Sequence, residues 1–261
     1  MLQENIRSDP SIETRMFTNR FRNPFRITDR DLDILEFLLE MKFSGFEELY
    51  QKFFPENDSL ELRTYSHWTR DRLKQLRQEN LISPFMFPGS AKRYFLATEK
   101  GRSWLMRERP FLSPPWALRK PQYIHFEHDL MVLRVRLFLE KAGLISKWTS
   151  ERFLKIEFGD LREERLNKHY IPDGIFTTPS GKKVALEVEL SQKKQCRYGE
   201  KLKFFSQAMT SKQGPYFDFD SVLFICKPRA VVKLLKAETK FFGEQFQILT
   251  LEEFFSSKPT I

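Results

Sequence analysis

The sequence predicts a mixed α/β protein, α+β overall, in which a helical unit with a short hairpin precedes an α/β unit. In the first hundred residues apolar side chains recur at helical spacing, and in the second half long helical stretches alternate with short apolar strands. Between them, segment 110–122 contains four prolines and no helical pattern. The predicted organisation is a basic arm over 1–26, a first domain over 27–109, a linker over 110–122 and a second domain over 123–261.

Composition and charge narrow the class of protein. Of 261 residues, 41% are hydrophobic and 30% are charged, which is typical of a globular chain. No apolar run approaches the roughly 18 residues of a membrane span, and the N-terminus lacks an apolar signal core, so we expect a cytoplasmic protein with no membrane partner. The net charge of +9 predicts a polyanionic partner, although composition alone does not separate DNA from RNA or an anionic membrane.

Three helices are predicted before the hairpin of the first domain, and a final helix is predicted after it, following Gly101. Thr28 and Asp31 have the spacing of a capping box, which marks the start of the first helix. Its apolar stripe consists of Ile34, Leu35, Leu38 and Leu39. Ser44 is predicted to cap a second helix that stops before Pro55, and the third helix spans about 62–79.

A basic surface is predicted on the third helix and on the hairpin that follows it around the turn at 88–90. The residues concerned are Arg63, Arg70, Arg72, Lys74 and Arg77 on the helix and Lys92 and Arg93 near the hairpin tip. Three helices followed by a hairpin is the winged-helix plan, in which a helix enters the major groove and arginines reach guanine edges or phosphates. The prediction is a domain that binds double-stranded DNA; a protein-binding winged helix and a merely solvated basic helix are the alternatives.

The second domain is predicted to have the order α-β-β-β-α-β with a further α-β added. Its helices are expected over 123–143, about 193–209 and 230–240. The strands are expected around 153–158, in a hairpin on either side of the turn at 179–181, over 221–226 and, as an edge strand, over 246–249.

Three carboxylates stand out in this hairpin. Because side chains alternate along a strand, Glu187 and Glu189 share the face opposite Val184, Leu186 and Val188. Asp173 lies on the preceding strand and could sit beside them. Three converging carboxylates repel one another unless a cation neutralises them, and oxygen ligands favour Mg²⁺ or Mn²⁺. The alternative is an ordinary strand with one solvated face.

This pattern resembles the PD-(D/E)xK nuclease superfamily. The resemblance rests on Asp173, thirteen intervening residues and then Glu187-Val188-Glu189, with Pro172-Asp173-Gly174 similar to the first motif. The chain also resembles, over about 27–210, the replication-relaxation family of plasmids and mobile elements, whose members join a winged helix to a domain of this type. That second resemblance runs through Glu127-His128-Asp129, the Pro-Asp-Gly turn, the Glu-Val-Glu strand and the helix with Arg197 and Lys201-Leu202-Lys203.

The resemblance implies a metal-dependent DNA endonuclease. Asp173, Glu187 and Glu189 would be the metal ligands with Glu127 as a further one, Lys201 or Lys203 would stabilise charge at the phosphate, and Arg197 would contact DNA. The superfamily usually has Lys where this chain has Glu189, so either Glu serves there or Lys201 fills the gap.

The alternative hypothesis is that the nuclease site is degenerate and the protein only binds DNA, in plasmid replication, transfer or transcriptional control. An adaptor that recruits a partner protein is a further alternative. A homodimer, or a partner protein of a mobile-element complex, is also expected.

Overall fold

The computed structural model describes residues 25–54, 62–159, 170–211, 218–242 and 245–256, so most of the predicted basic arm lies outside the described residues. The architecture is mixed α/β, as predicted, with two sheets in this part of the chain. Within these ranges no helix is both long enough and apolar enough to cross a membrane. Cys196 and Cys226 are both free.

The first unit joins four helices to a small antiparallel sheet with the strand order β1-β3-β2. Its elements are α1 (Asp29–Glu40), β1 (Ser44–Gly45), α2 (Phe46–Phe53), α3 (Leu62–Gln78), β2 (Ile82–Met86), β3 (Arg93–Ala97) and α4 (Glu99–Glu108). The capping box is confirmed, because the Thr28 N–H donates to the Asp31 carboxylate at 2.7 Å and the Asp31 N–H donates to Thr28 Oγ1 at 3.3 Å. Ser44 does not cap α2: it pairs with Phe95 in the sheet, and Gly45 takes the cap position.

The basic face of α3 is smaller than predicted. Arg70, Lys74 and Arg77 are exposed, but the expectation that Arg72 faces solvent is wrong. Arg72 Nε donates to Asp31 Oδ1 at 2.8 Å, and its guanidinium also reaches the carbonyl of Arg26 at 2.7 Å. Asp31 is fully buried, so its charge needs a partner inside the protein, and Arg72 supplies it.

Arg72→Ala is therefore expected to destabilise the protein, whereas Arg70→Ala is not. Loss of Arg72 leaves a buried carboxylate unpaired, and because the arginine side chain is still 22% exposed, we expect a loss of about 2 kcal/mol, below the roughly 3–5 kcal/mol of a fully buried pair. Urea denaturation of the two variants checks this. Equal unfolding midpoints would show that the Asp31–Arg72 pair is not needed for folding.

The second unit is built on a five-stranded sheet with the order β4-β5-β6-β7-β8. The strands from β4 to β6 are antiparallel, and those from β6 to β8 are parallel. After a short 3-10 turn at Tyr123–His125 come α5 (Phe126–Lys141), β4 (Lys147–Ser150), α6 (Glu151–Gly159), β5 (Gly174–Thr177), β6 (Lys183–Glu189), α7 (Gln195–Ser211), β7 (Ser221–Cys226), α8 (Arg229–Thr239), β8 (Phe246–Thr250) and α9 (Leu251–Ser256).

The strand predicted at 153–158 is wrong, because that stretch forms α6 and the strand lies just before it in β4. The apolar residues of 153–158 resemble a strand pattern, but Ser150 and Glu151 begin a helix there. The Ser150 hydroxyl accepts the Phe153 N–H at 3.5 Å, and Leu154 is buried while Ile156 is exposed. The predicted α-β-β-β-α-β order therefore holds with α6 inserted.

Strand β6 lies at the centre of the sheet and is covered on both faces. Val184, Leu186 and Val188 belong to the same buried cluster as α5, whereas Ala185 packs with residues of α7 and α8. The apolar face predicted for this strand is thus confirmed, and the opposite face is buried as well.

The two predicted domains share a core. Phe126, at the start of α5, stacks on Phe43 at 4.7 Å and on Phe87 at 4.1 Å between ring centroids. Segment 110–122 packs between the units, with Pro114 and Pro115 buried. Its boundary role stays a prediction, but the segment is not a loose tether.

Candidate functional site

A cleft of about 830 Å³ opens at the carboxyl end of β6. The start of α5 forms one wall, and α7 forms the other. Its polar lining includes Lys42, Glu127, His128, Asp129, Glu151, Lys155, Asp173, Glu187, Glu189, Lys193, Arg197 and Lys201. The cleft therefore collects acidic and basic side chains from both units of the protein.

Asp173 is held at the floor of this cleft by its backbone and its carboxylate. Its N–H donates to the Leu186 carbonyl at 3.0 Å, and its carboxylate accepts the Val188 N–H at 2.8 Å, which places it against β6. The next residue must be glycine, because a Cβ on Gly174 would lie 2.5 Å from the Trp148 ring. The Asp-Gly pair thus lets β5 pass under the indole.

His128 binds this carboxylate from α5. Its Nε2 lies 3.2 Å from Asp173 Oδ2 and 3.1 Å from the Val188 carbonyl, and its Nδ1 lies 3.6 Å from Asp129 Oδ1. Burial opposes protonation of the imidazole, but the two aspartates outweigh it and raise the pKa of His128 to about 10. Burial likewise opposes ionisation of Asp173, yet the imidazolium and the Val188 N–H hold its pKa below the usual value.

Lys42 extends this chain of contacts to the first unit. Its ammonium donates to Asp129 at 2.6 Å and lies 3.1 Å from Glu151. Lys42 follows α1 and has a φ of 72°, a conformation that local sequence patterns do not reveal. The first unit therefore contributes a side chain to the cleft of the second.

Glu187 and Glu189 lie on the α7 side of β6, where Lys201 bridges them. Lys201 Nζ donates to Glu187 Oε2 at 2.6 Å and to Glu189 Oε1 at 3.0 Å. The second oxygen of Glu189 lies 2.8 Å from Lys193. The two glutamates are only 3% and 1% exposed, so the alternative of a solvated strand face is wrong.

Burial changes the pKa values of the acids and of the lysine in this cluster. It raises the pKa of Glu187, because the attraction of Lys201 does not offset desolvation and the repulsion of Asp173 and Glu189. Burial also works against the charge of Lys201, but the two glutamates outweigh it and hold the pKa of that ammonium above its usual value. The second Glu187 oxygen, Oε1, is buried and accepts no hydrogen bond from any described residue.

Of the three predicted metal ligands on this strand pair, only Asp173 and Glu187 are suited to bind a divalent cation. Among the described residues, no group of three or more His, Cys, Asp or Glu side chains is arranged to hold a metal ion. Asp173 and Glu187 are close enough for their charges to repel, and Glu187 Oε1 needs a partner. Mg²⁺ commonly takes one or two carboxylates and completes its shell with waters and substrate phosphates, so these two acids suit it. The oxygens of Glu189 are already bound by lysines.

The model of one protein family, described as replication-relaxation, matches residues 35–216. This match covers most of the chain and includes every acidic and basic residue of the cleft floor. The chain belongs to the replication-relaxation family. Membership indicates a role in the replication of plasmids or other mobile elements. No curated protein and no solved structure matches the chain.

The other predicted site residues of this replication-relaxation protein are dispersed. Glu127 and Arg197 line the cleft as exposed side chains, whereas Lys203 is exposed and does not line it, since it lies two residues from Lys201 on a helix. On the first unit, Lys92 is exposed and bonds to Glu47 at 2.7 Å, and Arg93 is exposed. The side chain of Arg63 lies outside the described residues.

The sequence pattern did not identify five contributors to the site of this family member: Lys42, His128, Asp129, Glu151 and Lys193. The only local signal was Glu127-His128-Asp129, in which the acid that pairs within the cleft is Asp129 rather than Glu127. Lys42 and Glu151 are distant in sequence from the motif, so only packing brings them to it.

Proposed function

We propose that this protein hydrolyses phosphodiester bonds of double-stranded DNA with a divalent metal ion, Mg²⁺ or Mn²⁺, during replication or transfer of a mobile element. The observation that carries the proposal is the pair of buried acids Asp173 and Glu187 beside Lys201 on the floor of an open cleft. Buried charged groups lower the stability of a protein, and ionisable groups with shifted pKa values are concentrated at functional sites.

Each residue has a distinct part in this proposal. His128 and the Val188 N–H hold Asp173 ionised and oriented, and Glu187 Oε1 is the buried oxygen still available to a ligand. A bound divalent ion would lower the pKa of a water and stabilise charge at the phosphate. Glu189, itself paired with Lys193, helps to orient Lys201, whose ammonium would contact a phosphate oxygen.

Lys201 supports the nuclease proposal because it supplies the lysine that the nuclease pattern has at the position of Glu189. The nuclease pattern usually supplies a lysine at that strand position, and here a lysine from α7 reaches the same point of the sheet, 3.0 Å from the Glu189 carboxylate. Arg197 lies one helical turn before Lys201 and lines the same cleft, so both cations can approach one phosphate.

The test is incubation with supercoiled plasmid in Mg²⁺, in Mn²⁺ and in EDTA. We expect metal-dependent nicking by the wild type and a reduction of at least about 100-fold for Glu187→Gln, since even the outer-shell partners of a metal contribute up to about 100-fold. Glu252→Gln is the matched control, because Glu252 is exposed and pairs with Arg229 away from the cleft. Equal rates for both variants would exclude the cleft as the site of cleavage.

A second candidate function is DNA binding without cleavage. One observation favours it: Lys201 already pairs with both Glu187 and Glu189, so these acids have a partner without a metal ion. The exposed cations Arg70, Lys74 and Arg77 on α3 would then hold the duplex. Intact plasmid under every condition, with affinity that falls steeply as salt rises, would establish this function instead.

A further inference from the structure

A smaller cavity of about 300 Å³ lies beside the cleft. Its apolar wall consists of Phe43, Pro115, Trp116, Leu118, Pro121 and Ile156. Five residues line both spaces: Lys42, Gln122, Asp129, Glu151 and Lys155. The two spaces are therefore neighbours, and a single extended ligand can occupy both.

Trp116 is the most prominent feature of this cavity. Its side chain is 70% exposed, although an indole normally gains free energy by burial. The position of the residue is nevertheless defined, because Arg152 donates to its carbonyl at 2.5 Å and the Arg102 guanidinium lies 4.0 Å from its ring centroid. An exposed aromatic ring held from behind by a cation is suited to stacking against another flat group.

The charge around the ring points to an anionic ligand. Residues 109–126 contain no Asp or Glu, and Arg119 and Lys120 are exposed between the wall residues Leu118 and Pro121. The acids that do line the cavity are neutralised, since Asp129 pairs with Lys42 and Glu151 pairs with Lys42 and Lys155. A ligand with flat apolar groups on a negatively charged backbone matches this surface.

We propose that this cavity binds an unpaired nucleobase, stacked on Trp116, of a DNA strand whose backbone continues into the cleft. Inside a duplex the stacked neighbours cover both faces of each base, so an internal base can offer its face to the indole only when it is unpaired and unstacked. The inference rests on the proposed function for the identity of the ligand and deepens it, because it specifies that the bound duplex carries an unpaired segment at the cleft.

The test is fluorescence polarisation in EDTA with a labelled 20-nucleotide single strand and a duplex of the same length. Trp116→Ala is expected to weaken single-strand binding by about 5- to 140-fold, which is the roughly 1–3 kcal/mol of one stacked base at about 1.4 kcal/mol per tenfold, and to leave duplex binding unchanged. Trp116→Phe, which keeps a flat ring, should retain most of the affinity. Phe111→Ala is the matched control, because Phe111 is a fully exposed aromatic on the same segment that lines neither space.

Three results would overturn the proposal: unchanged single-strand binding by Trp116→Ala, an equal loss for the duplex, or an equal loss for Phe111→Ala. If the alanine variant does not fold, a single strand carrying 5-iododeoxyuridine is cross-linked to the wild type. Attachment at Trp116 supports the proposal, and attachment only elsewhere refutes it. Because no metal is present, a protein that fails to nick plasmid can still pass this test, which separates the two proposals.

Discussion

Lys201→Met is expected to cost about 3–5 kcal/mol of folding free energy, since it leaves two buried carboxylates without their shared cation. Glu187 would lose its ion-pair partner, and Glu189 would keep only Lys193. Methionine retains the length and apolar stem of the side chain, so the loss reports charge rather than packing. Urea denaturation at neutral pH measures it.

Lys203→Met provides the matched control on the same helix. Lys203 is exposed, and its replacement should change stability by no more than about 0.5 kcal/mol. If Asp173 and Glu187 bind divalent ions, millimolar Mn²⁺ should stabilise Lys201→Met more than the wild type, because the ion replaces the missing charge. Equal stability of the two lysine variants would refute the assignment of Lys201 as the counter-charge of the site.

Arg136→Met is expected to have an effect of similar size, about 3–5 kcal/mol, because Arg136 is the buried cation between the two units. Its guanidinium binds Glu40 of α1 and lies 2.9 Å from Glu140, and the ring centroids of Phe37 and Trp148 lie 4.9 and 5.4 Å from it. Its removal leaves Glu40 buried and unpaired between the units.

The pH dependence of this variant follows from Glu40. Burial raises the pKa of Glu40 even with Arg136 in place, and without the arginine that pKa rises further. A carboxyl whose folded pKa exceeds its unfolded value keeps stability at low pH and loses it as pH rises through the folded pKa.

Arg136→Met should therefore be closest to the wild type near pH 5 and weakest near pH 8. Thermal unfolding across this range measures the difference. Adding Glu40→Gln to the variant should remove most of the pH dependence. A deficit that is the same at both pH values would show that the lost packing of Arg136, rather than the charge of Glu40, causes the destabilisation.

Much of the local structure follows from patterns within a few residues. The Thr28–Asp31 capping box, the apolar stripe of α1 and the ends of β7 were all predictable, because each depends on the period of one helix or strand. The strand predicted at 153–158 was wrong because its apolar residues fit the period of a strand as well as that of a helix. The start of a helix at Ser150 decided between the two.

The placement of charge was less predictable. Arg72 satisfies every sequence criterion for a DNA-facing residue, yet it binds Asp31, which is 41 positions away. Whether a basic side chain faces solvent depends on whether packing buries an acid within its reach, and the spacing along its own helix does not contain that information.

By itself, the sequence determined that Glu187 and Glu189 share one face of a strand, since alternation is a property of any extended chain. It also determined that Asp173 lies close to this strand, because the turn at 179–181 folds the hairpin back on itself, although Asp173 comes immediately before β5 and not within it as predicted. Only the tertiary structure decided that these acids are buried, that Lys201 pairs with two of them and that His128 pairs with the third. It likewise brought Lys42 from the first unit to Asp129, 87 residues away. The physical reason is that a charge removed from water must be compensated within about 4 Å, and the partner that does so is selected by packing.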